Sequence, residues 1–169
     1  MVDLRKANRE NINKILAKCD ELSVDGVAHR AYILATAYHE TAFTFQPVRE
    51  AYWLKDPDKY LKQEHPEYYP YYGRGFAQLT WAKNYQKYEK LLNIPLSHNP
   101  DLALDPDVAA FVLVHGVSTG GFTGKKLSNY INNSKIDFVE ARRTVNGLDK
   151  AGEIATYAIW FLDFVYSNK

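Results

Sequence analysis

Apolar residues recur at helical spacing in two stretches near the start of the chain. In residues 4–22 charged side chains fill the positions between the apolar ones, which predicts an amphipathic helix at the surface. A second apolar stripe covers residues 28–42. We expect this helix to end by Gln46, because a residue that precedes a proline is disfavoured in α-helical geometry.

The chain then loses its helical period. Residues 47–80 are rich in Tyr, Pro, Gly and charged residues, which predicts loops with a short hairpin or a small sheet. Thr80 is the expected N-cap of the next helix. That helix should stop before Pro95, because proline cannot continue it.

Residues 108–117 are apolar on all sides, which predicts a buried central helix. Asp105 is its expected N-cap, and the glycine pair at 120–121 should end it. Three further helical patterns complete the chain, at residues 126–130, 137–145 and 151–165. We find no internal repeat and no long linker, so residues 1–169 are predicted to form a single, mainly α-helical domain with one irregular lobe.

Composition excludes several classes of function. The 169 residues carry a formal net charge of +1, whereas nucleic-acid binders usually display a strongly basic face. The longest apolar run, residues 108–114, is far shorter than the roughly 20 residues of a membrane span. No apolar signal segment follows Met1. We therefore expect no nucleic-acid partner, no membrane insertion and no secretion signal.

The single cysteine, Cys19, excludes an intramolecular disulfide framework. It lies on the apolar stripe of the first helix, so a buried packing role is expected. The five histidines are scattered and lack the spacing of a metal site. We predict no metal and no cofactor.

Glu40 is the most informative acidic residue. It falls in the last turn of the second helix, on an otherwise apolar face. The helix dipole and partial burial there both favour the protonated form, which is what a general acid needs. The alternative is a half-exposed glutamate that pairs with a nearby cation.

Glu50 follows ten residues later, beyond Pro47. Its spacing from Glu40 does not fix its position, because ten extended residues span ~33 Å. A turn at Pro47 would let the chain fold back. If the two carboxylates face one groove about 6.5 to 9.5 Å apart, a water molecule fits between the second one and a sugar, as inverting glycosidases require.

Aromatic residues crowd positions 68–76 and continue to Trp81 and Tyr85. Tyrosine and tryptophan combine an apolar face with a polar edge, which suits sugar rings. Gly73 and Gly75 permit a close approach of the backbone to a ligand. The alternative is that these aromatic residues pack the small lobe, and we expect about half of them to do so.

Basic residues cluster in the second half of the chain, at Lys125, Lys126, Lys135, Arg142, Arg143 and Lys150. Such residues usually form a solvated face, although they can also attract an anionic polymer.

Three motifs together resemble those of family 19 chitinases and related phage endolysins. Residues 32–41 (YILATAYHET) resemble the helix of that family that ends in His-Glu-Thr or His-Glu-Ser. Residues 71–81 (YYGRGFAQLTW) resemble its Tyr-Gly-Arg-Gly-x-x-Gln-Leu-Ser/Thr signature. Residues 142–147 (RRTVNG) are similar to its late Arg-Arg-x-x-Asn-Gly motif. The matches follow the family's order along the chain, from about residue 28 to residue 166.

The resemblance implies a lysozyme-like helical fold with a cleft between two lobes. It implies that Glu40 is the general acid and that Thr80 helps to hold the attacking water. Glu50 is the expected general base, with Glu64 and Glu67 as competitors. Sugar contacts are expected from residues of these motifs and of the aromatic run, namely Tyr72, Arg74, Gln78, Trp81, Asn84, Tyr85 and Asn146.

One departure from the family's pattern concerns charge. A late Asp-Arg pair, whose cation is expected to bridge the two acids, is replaced here by Gly152 and Glu153. Lys150 and Arg142 are the candidates to supply that cation instead.

The function expected from the sequence is that of an inverting glycoside hydrolase, a monomer without a cofactor, that cuts β-1,4-linked N-acetylhexosamine polymers. Peptidoglycan is preferred over chitin because the chain is compact, has no secretion signal and lacks the cysteines of secreted plant enzymes. These features are typical of a phage or prophage endolysin that is made in the host cytoplasm and released through a holin. Chitin hydrolysis, lytic transglycosylation and non-catalytic binding to the cell wall are the alternatives.

Overall fold

The computed structural model describes residues 2–167, and this part of the chain contains six α-helices and two small antiparallel sheets. The helices are α1 (Arg9–Glu21), α2 (Val27–Glu40), α3 (Pro57–Glu64), α4 (Ala82–Leu92), α5 (Pro106–Thr119) and α6 (Ala151–Ser167). The strands are β1 (Val48–Arg49), β2 (Arg74–Gly75), β3 (Ile131–Asn132) and β4 (Lys135–Ile136). Short 3₁₀ helices cover Pro100–Leu104, Leu127–Asn129 and Glu140–Thr144. The prediction of a mainly α-helical fold is confirmed.

Several boundaries differ from the predicted ones. Helix α1 begins at Arg9 rather than at Leu4, because the Asn8 side chain accepts a hydrogen bond from the backbone N–H of Asn11 and caps the helix there. Helix α3 lies in the stretch that was predicted to be loops, and its eight residues are too short to show a clear period. Residues 126–130 and 137–145 form 3₁₀ turns around the unpredicted β3–β4 hairpin.

Thr80 is not the N-cap of α4, which corrects the prediction. The capping position is occupied by Trp81, with φ 76° and ψ 135° and no side-chain cap. The Thr80 hydroxyl instead donates a hydrogen bond to the carbonyl oxygen of Gln78, at 2.8 Å. The hydroxyl is therefore committed to the turn before the helix.

The main core surrounds α2, whose residues 31–38 are all buried. Helix α6 packs along α2, and α1 packs against α5. Helix α5 also faces a second apolar cluster beneath α4, because Val112 belongs to that cluster whereas Leu113 and Val114 belong to the main core. The αL conformation of Gly120, with φ 78°, ends α5 as expected. One helix thus takes part in two cores.

A two-residue ladder connects the segment after α2 to the glycine-rich motif. Strand β1 pairs with β2 in antiparallel register, with Val48 opposite Gly75 and Arg49 opposite Arg74. The chain therefore does fold back after Pro47, and it brings Glu50 to Gly73. Within residues 2–167, no helix has the length and apolar character needed to cross a lipid bilayer.

Candidate active site

A cleft of about 540 Å³ separates the end of α2 from the segment that joins β2 to α4. Seven of the residues predicted from the sequence line this cleft: Glu40, Glu50, Gln78, Thr80, Trp81, Asn84 and Asn146. The two glutamates reach it from different elements, one from the last residue of a helix and the other from the end of a short strand. The cleft therefore combines two carboxylates with a polar and aromatic wall.

Glu40 is held by a nearly buried arginine. The Arg142 guanidinium donates a hydrogen bond from Nη1 to Glu40 Oε1 at 2.7 Å, and its Nε donates to the carbonyl oxygen of Asp149 at 3.2 Å. The exposed fractions of the two side chains are 17% for Glu40 and 4% for Arg142. Such charge-assisted bonds between partly desolvated groups are short and strong. Arg142 thus fixes the direction in which the Glu40 carboxylate points.

This ion pair answers two questions that the sequence left open. The first question was whether Glu40 pairs with a nearby cation, and it does. Of the two cations considered, Arg142 makes the contact, whereas Lys150 pairs with Glu153 at 3.0 Å.

Glu50 is held by two hydrogen-bond donors from other residues that line the cleft. The Tyr68 hydroxyl donates to Glu50 Oε1 at 2.7 Å, and the backbone N–H of Gly73 donates to Glu50 Oε2 at 2.9 Å. Burial, followed by the hydrogen bond to Glu50, raises the pKa of Tyr68 well above its ordinary value of 10.0. Tyr68 therefore remains a proton donor at neutral pH. Each carboxylate oxygen of Glu50 keeps a second acceptor position.

Glu64 and Glu67, the competing candidates for the base, lie outside the set of residues that line the cleft. Glu64 is the exposed last residue of α3. Glu67 is exposed and lies 3.3 Å from Nδ1 of His65 through Oε1. The geometry supports Glu50 over both, because Glu50 alone of the three faces the same cleft as Glu40.

Thr80 and Gln78 line the cleft from the segment between β2 and α4. The Thr80 hydroxyl uses its proton on the Gln78 carbonyl oxygen, so its own oxygen remains able to accept a hydrogen bond from water. The Gln78 side-chain amide donates to the carbonyl oxygen of Val48 at 3.0 Å. Gln78 thus fastens β1 to the turn, in addition to lining the cleft.

Tyr72, Arg74 and Tyr85 lie beneath the cleft, which corrects the expectation that they contact sugar. Their exposed fractions are only 1%, 4% and 0%. The Arg74 guanidinium stacks 3.7 Å from the centre of the Tyr72 ring and bonds to Asp101 at 2.8 Å. It also donates to the carbonyl oxygens of Pro70 and Tyr72. These residues shape the glycine-rich turn from below.

The aromatic run divides between packing and exposure. Phe76, like the tyrosines just described, is fully buried. Trp81 is 46% exposed at the rim of the cleft, where its ring meets the ring of Tyr68 edge to face at 5.3 Å. The side-chain amide of Asn84 donates to the carbonyl oxygen of Thr80 at 2.8 Å, and Asn146 is an exposed residue of the cleft lining. Trp81 is therefore the aromatic residue best placed to meet a ligand.

Sequence reasoning missed several residues of the site. Tyr68 was recognised only as part of the aromatic run, and its bond to Glu50 joins residues 18 positions apart. Phe122, which also lines the cleft, lies outside the three motifs, and Val145, another lining residue, falls at a variable position of the 142–147 motif. Glycine at position 73 was a usable signal, since a Cβ atom there would lie 2.7 Å from Oε1 of Gln78.

Neither the cysteine nor any histidine of the described residues lines the cleft. Cys19 is fully buried in the main core, and burial raises the pKa of its thiol to about 12, which confirms the predicted packing role. Among residues 2–167, no group of three or more His, Cys, Asp or Glu side chains is arranged to hold a metal ion.

Comparison with solved structures shows which fold this is. A bacterial family 19 chitinase superposes with a TM-score of 0.69 and 23% sequence identity, over 95% of this chain and 87% of the chitinase chain. Chitinase C from Streptomyces griseus HUT6037 gives a TM-score of 0.68 and 23% identity, over 95% of this chain and 70% of that one. No protein-family model and no curated protein sequence matches the chain. The chain therefore has the lysozyme-like helical fold of family 19 chitinases, as the three sequence motifs had indicated.

Proposed function

We propose that the chain is an inverting glycoside hydrolase that cleaves β-1,4 bonds between N-acetylhexosamines. The observation that carries the proposal is that Glu40 and Glu50 face one cleft from different structural elements, each held by its own hydrogen-bond donors. Two positioned carboxylates on either side of a sugar are what hydrolysis with inversion requires. The fold shared with family 19 chitinases agrees with this assignment.

Glu40 is the proposed general acid. Arg142 occupies Oε1 of its carboxylate, so Oε2 is the oxygen that delivers a proton to the glycosidic oxygen. The bond between the glycosidic oxygen and the anomeric carbon then breaks, and the leaving sugar keeps the proton.

Glu50 is the proposed general base. A water molecule between Glu50 and the anomeric carbon gives one proton to the carboxylate while its oxygen forms the new bond to carbon. Its second O–H group donates a hydrogen bond to the Thr80 hydroxyl oxygen, which is free to accept, and remains in the new anomeric hydroxyl group. Because the water attacks from the side opposite the leaving sugar, the anomeric configuration inverts.

Peptidoglycan is the proposed substrate, and lysis of a bacterial host by a phage or prophage endolysin is the proposed role. This choice rests on the resemblance of the motifs to phage endolysins, which also suggests synthesis in the host cytoplasm and release through a holin. Chitin is the second candidate, and it is favoured by the names of the two solved neighbours, both of them chitinases.

Single Glu→Gln variants test the catalytic assignment. We expect Glu40→Gln and Glu50→Gln each to lower kcat by at least ~10²-fold, which is typical of a lost acid or base. Glu64→Gln and Glu67→Gln are matched controls with the same charge change and should retain activity. Full activity of Glu50→Gln, with loss in Glu64→Gln or Glu67→Gln, would move the base to one of those residues.

The products discriminate between the alternative activities. Digests of permeabilised Gram-negative cell walls and of chitin oligomers are analysed by mass spectrometry and by NMR of the anomeric proton. Hydrolysis with inversion gives reducing ends of the α configuration from β-linked polymers, whereas a lytic transglycosylase gives anhydro sugars. Binding to either polymer without any turnover would show instead a non-catalytic wall-binding module.

A further inference from the structure

Helix α4 carries a row of lysines next to the cleft. Lys83, Lys87 and Lys90 follow one another at intervals of four and three residues, so they share one face of the helix. Together with Gln86, Leu91 and His115 they line an open groove of about 600 Å³, and no acidic side chain lines it. We call this surface the lysine groove.

The chain does not neutralise the lysine groove. None of its three lysines forms an ion pair with a residue in the described range 2–167. Glu89, on the same helix, uses its carboxylate to accept hydrogen bonds from the backbone N–H and the hydroxyl of Ser97. Like charges three or four residues apart destabilise a helix. The row therefore costs stability that no acidic partner within these residues offsets.

The lysine groove adjoins the cleft at two points. Lys83 directly precedes Asn84, a residue of the cleft wall, and also lines a depression that Tyr68 and Trp81 share with the cleft. Lys87 donates from Nζ to the carbonyl oxygen of Gly121 at 3.2 Å, one residue before Phe122 in the cleft wall. A substituent that projects from a glycan in the cleft can therefore reach the lysines.

We propose that the lysine groove binds carboxylates of the peptide stems on a peptidoglycan strand whose sugars occupy the cleft. This inference rests on the proposed function and deepens it. Chitin is uncharged, whereas the peptide stems of peptidoglycan carry carboxylates, so only the second polymer matches the charge of the groove. Lysine ammonium groups are point charges on flexible stems, which suits carboxylates that have no fixed geometry. The groove thus selects peptidoglycan over chitin.

The test compares the whole chain with the variant Lys83→Gln/Lys87→Gln/Lys90→Gln. Co-sedimentation and kcat/KM are measured on peptide-bearing peptidoglycan, on the same glycan after an amidase has removed its stems, and on chitin oligomers. We expect the variant to lose about tenfold in binding and kcat/KM on the peptide-bearing glycan at about 50 mM salt, and less at about 200 mM, where charge interactions are screened. On chitin oligomers, which are uncharged, it should match the parent within about twofold. On the stem-free glycan, where each muramic acid keeps only the lactyl carboxylate next to its sugar ring, the loss should be smaller than on the peptide-bearing glycan.

The control variant is Lys6→Gln/Lys55→Gln/Lys59→Gln, which removes the same charge from exposed lysines outside the groove. It should bind all substrates like the parent. An equal loss in control and groove variants, an equal loss on stem-free glycan, or parent binding to duplex DNA as tight as to peptidoglycan would overturn the proposal. If the parent hydrolyses peptidoglycan and the groove variant is unaffected, the groove assignment fails and the proposed function stands. If the parent neither binds nor cleaves peptidoglycan, both fail.

Discussion

Gly73 and Glu50 exchange two hydrogen bonds next to the β1–β2 ladder. The backbone N–H of Glu50 donates to the carbonyl oxygen of Gly73 at 2.7 Å, and the backbone N–H of Gly73 donates to the Glu50 carboxylate at 2.9 Å. The same glycine thus fixes both the backbone and the side chain of the proposed base. Its lack of a Cβ atom matters because the Gln78 side chain occupies the space where that atom would lie.

Substitution of this glycine should therefore impair catalysis more than folding. In Gly73→Ala the new Cβ forces the Gln78 side chain to move, at a cost of about 1 to 3 kcal/mol for an overpacked site. We expect kcat to fall by roughly 10²-fold, as for a base displaced by about 1 Å. Gly152→Ala is the control, because nothing lies within 4 Å of the added Cβ. Unchanged kcat in Gly73→Ala would show that the glycine does not position Glu50.

Arg142 should act by orienting Glu40. Arg142→Lys keeps the charge but cannot bond to both Glu40 and Asp149 as the guanidinium does, so we expect kcat to fall about tenfold. Arg142→Gln removes the charge as well and should cost about 10²-fold, with little change in KM. Arg143→Gln is the matched control, since Arg143 is exposed and pairs with Glu140. A change in KM alone would indicate a role in binding instead.

Trp81 combines an exposed ring with an unfavourable backbone conformation. A bulky residue at φ 76° and ψ 135° is strained, at a typical cost of about 1 to 3 kcal/mol. Glycine normally destabilises a protein relative to alanine, but here Trp81→Gly should be more stable than Trp81→Ala by about 1 kcal/mol. Denaturant unfolding measures the difference. Both variants should raise KM for glycans by a similar factor of about five to ten, because both lack the ring.

The buried Arg74 should stabilise the glycine-rich turn without taking part in the reaction. Arg74→Gln removes the buried guanidinium that donates to the carbonyl oxygens of Pro70 and Tyr72 and to Asp101, and we expect a loss of about 2 to 3 kcal/mol in the free energy of unfolding. Arg49 contacts the same aspartate at 3.1 Å, but its side chain is 35% exposed. Arg49→Gln should therefore cost less than about 1 kcal/mol. Equal losses in the two variants would contradict the distinction.

Partly buried histidines should make the fold sensitive to acid. Burial lowers the pKa of His29 below its ordinary value of 6.5, and burial with the nearby charge of Lys87 lowers the pKa of His115. The unfolded chain therefore binds more protons than the folded chain as the pH falls through about 6.5, and the free energy of unfolding falls with it.

Urea unfolding at about pH 7 and about pH 5 measures this effect. His29→Gln/His115→Gln should lose less stability between the two values than the parent does. A parent protein that is equally stable at both values, or a double variant with the same acid loss as the parent, would contradict the prediction.

The sequence predicted what depends on local pattern. The period of residues 28–42 indicated α2 and placed Glu40 at its end, and the uniformly apolar residues 108–117 indicated a buried α5, which the structure confirms. The cap of α4 was wrong because threonine is the better capping residue by propensity, while tertiary contacts impose a positive φ on Trp81.

The contacts that complete the site lie beyond any local pattern. Arg142 meets Glu40 across 102 positions, and no spacing rule connects them. Tyr72, Arg74 and Tyr85 belong to a recognisable motif, yet the motif does not tell a side chain in the cleft from one beneath it. The two kinds of side chain differ in burial. Burial depends on how the segment that contains Asp101 packs beneath the glycine-rich turn.

The dual membership of α5 in two apolar clusters has a mechanical consequence. Val112 packs in one cluster and its neighbour Leu113 packs in the other, so α5 connects the two clusters. A substitution that shifts α5 in one cluster should therefore also disturb the packing of the other cluster.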